Sequence, residues 1–272
     1  MSGDLLYGLN QWVVFLIAVG LFYLSAEAGF RYGRRFSAKA CPGTHEHVAT
    51  IEAALLGLLA LLLGFAFAMA MARYDARKQV VLEEVDDLET TFLRAQLLPE
   101  KHRLECSRLL RQYVDSRIAH LRAGANRTEI EKAFNWTNEL QIQLWAETVS
   151  LTREDSDEVR TGYFIESLNG LIDDHTKRVT AMENHVPEVI LVLLVLVATM
   201  TIAVTGYSSG LRHTRLRILR FILVLLIAAT LLVIVDLDRP RRGLIKVSEN
   251  GMLELQRNFD RFAEAIDRHA KQ

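Results

Sequence analysis

Residues 51–80 read IEAALLGLLALLLGFAFAMAMARYDARKQV, and the reading of that stretch decides the fold. Ala53 to Ala72 carry no charge, about 20 residues that at ~1.5 Å rise each cross a ~30 Å hydrocarbon layer. With no turn signal the pattern then becomes charged and amphipathic, with Arg73, Asp75, Arg77, Lys78, Glu83 and Glu84. One unbroken helix over residues 52–98 is expected, half of it in lipid and half in water. Ala53, Gly57, Ala60, Gly64 and Ala68 recur at steps of three and four, so they form one stripe along the membrane half. Such a stripe lets another helix backbone come close. It serves either packing within one subunit, or a subunit or pore contact.

Working outward, three more apolar blocks stand out. Trp12 to Phe30 reads as a first span, retained because no basic residue precedes it as a cleaved leader would require. Val189 to about Tyr207 and Phe221 to Val235 read as the third and fourth. Between the second and third spans lies a long charged segment with helical periodicity. Leu104, Leu109, Tyr113, Val114, Ile118 and Leu121 mark a helix from Glu100 to Arg122. Thr128-x-x-Glu131 reads as a capping box for a helix to about Leu151, carrying Ile130, Phe134, Leu144, Trp145 and Val149. Val159, Tyr163, Leu168, Leu171, Ile172 and Val179 mark a further helix, expected to run through Pro187 into the third span. Met252, Leu255, Phe259, Phe262 and Ile266 give an amphipathic C-terminal helix, suited to docking on the bundle or on a sister subunit.

The expectation is an all-α protein. Four transmembrane helices carry an extramembrane antiparallel helical bundle, built from extensions of the second and third spans plus a helical hairpin. Its parts are residues 1–72 (two spans), 73–186 (bundle), 187–236 (two spans) and 237–272 (C-terminal helix).

Composition narrows the function. The net charge is −1, which gives no basic field for nucleic acid. Cys41, His45, Glu46 and His47 sit near one another but lack the paired spacing of a structural metal site, so no metal or cofactor is expected. No phosphate loop, nucleophile elbow or His-Glu-x-x-His occurs, and an enzyme is not expected. Asn135-Trp-Thr137 matches a glycosylation sequon but falls inside a helix. Ala198, Thr201, Thr205 and Ser208 share a face of the third span, where hydroxyls either bond within the membrane or line a hydrated path. Glu27 and Glu52 lie at one membrane boundary and Glu188, Asp236 and Asp238 at the other. Such residues are either merely interfacial or, repeated by symmetry, form acidic rings that concentrate cations at pore mouths.

Two regions carry a family resemblance. Residues 73–84 read RYDARKQVVLEE, followed by Thr91-Phe-Leu-Arg-Ala-Gln-Leu-Leu-Pro99 and by Leu109-Leu-Arg-Gln-Tyr-Val-Asp-Ser-Arg117. Asp236-Leu-Asp-Arg-Pro-Arg-Arg-Gly-Leu-Ile-Lys-Val-Ser248 extends the pattern. These resemble the bestrophin-like domain family of bacterial membrane proteins. Glu-Val-Asp-Asp-Leu-Glu at 84–89 departs from the smaller Ala/Asn-type turn expected there. The resemblance implies kinship with bestrophins, oligomeric ion channels whose second membrane helix lines the pore and whose helical portion is cytosolic.

Two functions remain. One is a homo-oligomeric ion channel of the bacterial inner membrane, cation-selective, with the second span as its wall. The other is a membrane-anchored sensor or scaffold whose bundle binds a partner without conduction. The two short loops hold eight Lys and Arg (Arg31, Arg34, Arg35, Lys39, Arg212, Arg215, Arg217, Arg220), which reads them as cytoplasmic. The resemblance puts the bundle there instead.

Overall fold

The computed structural model describes residues 11–37, 43–124, 126–154, 157–212, 217–239 and 250–270. Among them are eight α-helices and no strand: α1 (Gln11–Phe36), α2 (Thr44–Ala95), α3 (Glu100–Arg122), α4 (Arg127–Glu154), α5 (Glu158–Glu183), α6 (Glu188–Leu211), α7 (Arg217–Asp238) and α8 (Asn250–Ala270). Four of them, α1, α2, α6 and α7, are long and apolar enough to cross a membrane. The all-helical fold with four spans and a helical bundle stands as read from the sequence.

The helices gather into two compact units. One holds Met1–Tyr74 and His185–Ile245, the other Asp75–Asn184 and Lys246–Gln272. α2 belongs to both and runs through 52 residues without interruption. Its uncharged half contains no proline and its charged half no glycine, so nothing breaks the hydrogen-bond ladder before Gln96.

In the membrane unit the core is Phe22, Leu59, Ala66, Ala70, Leu194, Ala198, Ile202, Val224, Leu231 and Ile234. α1 and α6 meet at backbone distance. A Cβ on Gly29 or Gly33 would overlap the carbonyl oxygens of Ala203 or Tyr207, and one on Gly206 or Gly210 those of Ala26 or Phe30. Both helices therefore carry a Gly-x-x-x-Gly pair, and each pair receives the other helix. Ser25 Oγ donates across this contact to the Thr199 carbonyl at 2.9 Å.

The bundle packs around Leu88, Phe92, Leu110, Tyr113, Leu144, Phe164 and Leu168. α8 closes it with Met252, Leu255 and Phe259, the last stacked on Phe92 at 3.9 Å between ring centroids. Of the two homes open to that helix, the bundle is the one observed. The side chain of Ile266 lies outside the described ones. α3 and α4 are joined by His102, whose ring nitrogens lie 2.6 Å from Glu147 Oε1 and 3.2 Å from Glu154 Oε2.

Several local expectations are corrected. Asn126, not Thr128, caps α4, its Oδ1 accepting from the N–H groups of Thr128 at 3.2 Å and Glu129 at 3.4 Å. Helical bonding stops at Glu183 and resumes at Glu188. Pro187 lacks an N–H and pushes the residue before it out of the helical region. Leu104, Trp145, Val149, Val159 and Tyr163 are exposed rather than buried. The buried faces instead include His102, Arg117, Thr137 and Thr148, polar residues that a reading by apolar spacing turns outward.

Candidate functional site

The stripe of small residues on α2 lies on the bare side of its helix. Leu59, Ala66 and Ala70 face the protomer core, whereas Ala53, Gly57, Ala60, Gly64 and Ala68 are all exposed. Nothing lies within 4 Å of a Cβ built on Gly57 or Gly64. Packing within the subunit, one of the two readings of the stripe, is therefore not what it does. Close packing falls to the glycine pairs on α1 and α6. Their four-residue spacing is the signal in the sequence that marks this contact.

The acidic residues divide. Glu27 is half-buried and accepts from Arg31 at 3.0 Å, Glu52 is half-buried, and Glu188 is exposed at the first turn of α6. Asp236 and Asp238 are buried. Both Asp238 oxygens accept from the Val186 N–H at 3.0 Å, and its carbonyl lies 3.1 Å from His185 Nδ1. The Pro187 break leaves that N–H without a helical acceptor, and Asp238 supplies one. Within the protomer Asp238 is thus a structural anchor turned inward.

On the third span the hydroxyls are also turned inward. Thr201 and Ser208 are buried, and Thr205 Oγ1 donates to the Thr201 carbonyl at 3.1 Å. Of the metal-type residues in the first loop, Cys41 lies outside the described residues, and His45, Glu46 and His47 are exposed. No group of three metal-type side chains occurs among the described residues. Cys106 is buried, and desolvation followed by the Glu147 charge pushes its thiol up to about 12, which disfavours the thiolate.

The bundle hides a charge cluster that pattern reading did not find. Glu84 of α2 is fully buried between two buried arginines. Arg117 Nε of α3 lies 2.8 Å from Glu84 Oε1, and Arg178 Nη1 of α5 donates to Oε2. The Tyr113 hydroxyl donates to Oε1 at 3.3 Å. Burial alone would raise the Glu84 carboxyl, but Arg117 and Arg178 hold it at about 2. His175 sits beside the cluster and against Phe134, and burial aided by Arg117 lowers it to about 4. This imidazole is neutral near pH 7. Glu84 ends the 73–84 stretch and Arg117 the 109–117 stretch, so this ion pair joins two of the segments that carry the resemblance. One turn on, Gly170 leaves room for the Asp87 carboxylate, since a Cβ there would lie 2.6 Å from Asp87 Oδ2.

A geometry of four spans, a helical bundle and no catalytic constellation among the described residues can be set beside known proteins. The Bestrophin-like domain matches residues 20–252. The chain belongs to the Bestrophin-like domain family. As a Bestrophin-like protein it shares its fold with a bacterial bestrophin homologue from Klebsiella pneumoniae. One crystal structure of that homologue, a single-substitution variant, aligns at TM-score 0.68 and 14% identity over 95% of this chain and 98% of that one. Another aligns at TM-score 0.64 and 15% identity over 90% and 96%. A crystal structure described as a membrane protein variant aligns at TM-score 0.65 and 16% identity over 90% and 97%. No curated protein sequence matches the chain. Four apolar spans and membership of this family make it a multi-pass membrane protein.

Proposed function

We propose that this Bestrophin-like protein is a homo-oligomeric, cation-selective ion channel of the bacterial inner membrane, with the apolar half of α2 lining its pore. One observation carries the reading. Ala53, Gly57, Ala60, Gly64 and Ala68 lie on the face of α2 turned away from its own protomer. A row of small residues with no partner at home is suited to a symmetry axis, where several copies converge and side-chain volume sets the bore. An uncharged wall of this kind gates by dewetting, and short side chains keep it wide enough to wet. Kinship with bestrophins supports the same helix as the wall. Glu27, Glu52 and Glu188 are the acidic residues with exposed or half-exposed side chains at the span ends, and repeated by symmetry they would concentrate cations. Asp236 and Asp238 join such rings only if assembly uncovers them.

Flux into proteoliposomes tests the proposal. Purified protein under a sodium gradient passes cations above the level of empty vesicles, and Gly64→Leu lowers that flux at least ~10-fold without unfolding the protomer, since nothing there opposes a larger side chain. No flux under any gradient leaves the second reading, a membrane anchor for a partner-binding bundle, which is supported by the absence of a charge between Ala53 and Ala72. Sidedness is decided separately. Loop basicity supports cytoplasmic loops, whereas kinship supports a cytoplasmic bundle. Labelling of Cys41 by an impermeant maleimide on intact spheroplasts separates the two.

A further inference from the structure

The membrane unit contains a buried cation with no counter-charge. Arg220, in the first turn of α7, is only 9% exposed, and its Nε has no hydrogen-bond partner. No carboxylate forms an ion pair with it among the described residues. Its guanidinium lies over the Phe30 ring at 4.5 Å, a contact that orients the group but leaves its N–H edge unused. A buried charge without hydrogen bonds or a paired charge is costly, so the site calls for an anion.

Three surrounding features say what kind. Arg217 stands one turn before Arg220 at the start of α7, exposed and on the same face. The first turn of α7 has no acidic residue, so the positive end of a 22-residue helix adds to both guanidiniums. Tyr23, Ala26, Glu27 and Val224 complete a cleft with Arg217 and Arg220, and Glu27, the acidic member, is engaged by Arg31 at 3.0 Å. The cleft has a volume of about 10 Å³, room for a single water, so a ligand anion caps its mouth rather than filling it. Beside that mouth, Tyr23 meets Phe221 edge to face at 6.4 Å, and Leu24, Leu219 and Ile222 are exposed, as a lane for acyl chains requires.

We propose that Arg217 and Arg220 bind the phosphate of an anionic phospholipid in the leaflet on the side of the two short loops. Basic clefts between spans take such headgroups, whereas a zwitterionic lipid brings its own cation into the same space. Arg217 meets the phosphate directly. Arg220 reaches it at the cleft mouth or through the one water the cleft holds.

Native mass spectrometry of the full chain, released from nanodiscs of mixed phosphatidylglycerol and phosphatidylcholine, tests this. Wild type retains phosphatidylglycerol over phosphatidylcholine at least ~5-fold above the ratio supplied, about 1 kcal/mol at RT of 0.59 kcal/mol. Arg217→Gln, an exposed position that does not threaten folding, reduces the excess, and Arg217→Gln with Arg220→Gln removes it. Arg34→Gln with Arg35→Gln, basic residues outside the cleft, leaves it in place. Equal retention by the wild type and the Arg217/Arg220 double variant overturns the proposal, as does equal loss in the Arg34/Arg35 control. A final arm adds inorganic phosphate to protein in phosphatidylcholine nanodiscs. Thermal stabilisation matching that of phosphatidylglycerol would make the ligand a free anion and overturn the lipid assignment.

Discussion

The two units solve the same problem with opposite materials. In the bundle, helices meet through large side chains such as Phe92, Tyr113, Phe164 and Phe259, and a carboxylate is sealed between two arginines. In the membrane unit the tightest helix pair meets through Gly29, Gly33, Gly206 and Gly210, with almost no side chain between the backbones. The solvent explains the difference. Water rewards each buried apolar ring, at roughly 1.5–3 kcal/mol apiece, and leaves the helices free to stand apart. Lipid rewards no such burial, so close backbone contact and dispersion must hold the pair. The membrane unit also leaves the small-residue face of α2 bare, whereas α8 covers the bundle core.

This contrast can be broken at its strongest point first. Gly206→Leu drives a side chain into the Ala26 carbonyl and is expected to cost about 5 kcal/mol or more, read as loss of folded protein in graded denaturant. Gly64→Leu, the same change on α2, is expected to leave protomer stability within about 0.5 kcal/mol. Equal damage at the two positions would erase the distinction between a home-facing and an outward-facing glycine.

On the bundle side, Glu84→Gln leaves Arg117 and Arg178 buried without their counter-charge. A loss of about 3–5 kcal/mol in urea unfolding is expected. Replacing all three partners with apolar residues of similar volume is expected to recover most of it.

A smaller effect depends on pH. The folded value for His175, about 4, lies below its ordinary 6.5, so the unfolded chain takes up the proton first as pH falls. The stability it contributes is complete above about 6.5 and is lost as pH falls toward about 4. The difference between wild type and His175→Phe should therefore shrink by roughly 2–3 kcal/mol across that window. Glu84 adds a second loss from its ordinary 4.5 down to about 2, and it persists in the variant. A flat difference from pH 7 to pH 4 would show that His175 is not held neutral.

Smaller than the pH effect, Asn126→Ala removes the cap of α4 and should cost about 1 kcal/mol, with Thr128→Ala near zero.

What was legible in the sequence follows the same divide. The four spans announce themselves because lipid demands about 20 apolar residues in a row, a signal needing no partner to interpret. The long α2 was legible for a related reason, the lack of any breaker between Ile51 and Ala95. The bundle's helices and most of their buried apolar positions, such as Leu109, Tyr113, Leu144 and Leu168, were legible, but the polar residues sharing those faces were not. His102, Arg117 and Arg178 are charged or polar by type and interior by position. They are tolerated inside because partners wait there, and Glu84 is 33 and 94 residues from its two arginines. No local pattern encodes a neighbour that distant. The candidate pore face was legible as a stripe, and its direction was not, because facing home or away depends on where the other three spans stand.

The glycine contact between the first and third spans sets a schedule for biogenesis. Ser25 and Thr199, which bond across it, are 174 residues apart in the chain. At ~5–20 residues per second, synthesis needs roughly 10–35 s to travel that distance. For that interval the first span resides in the bilayer with its glycine groove open, while the ribosome makes every residue of the fifth helix and all that precede it. The pair closes late, and the nascent protein must be protected from wrong pairings at that groove until it does.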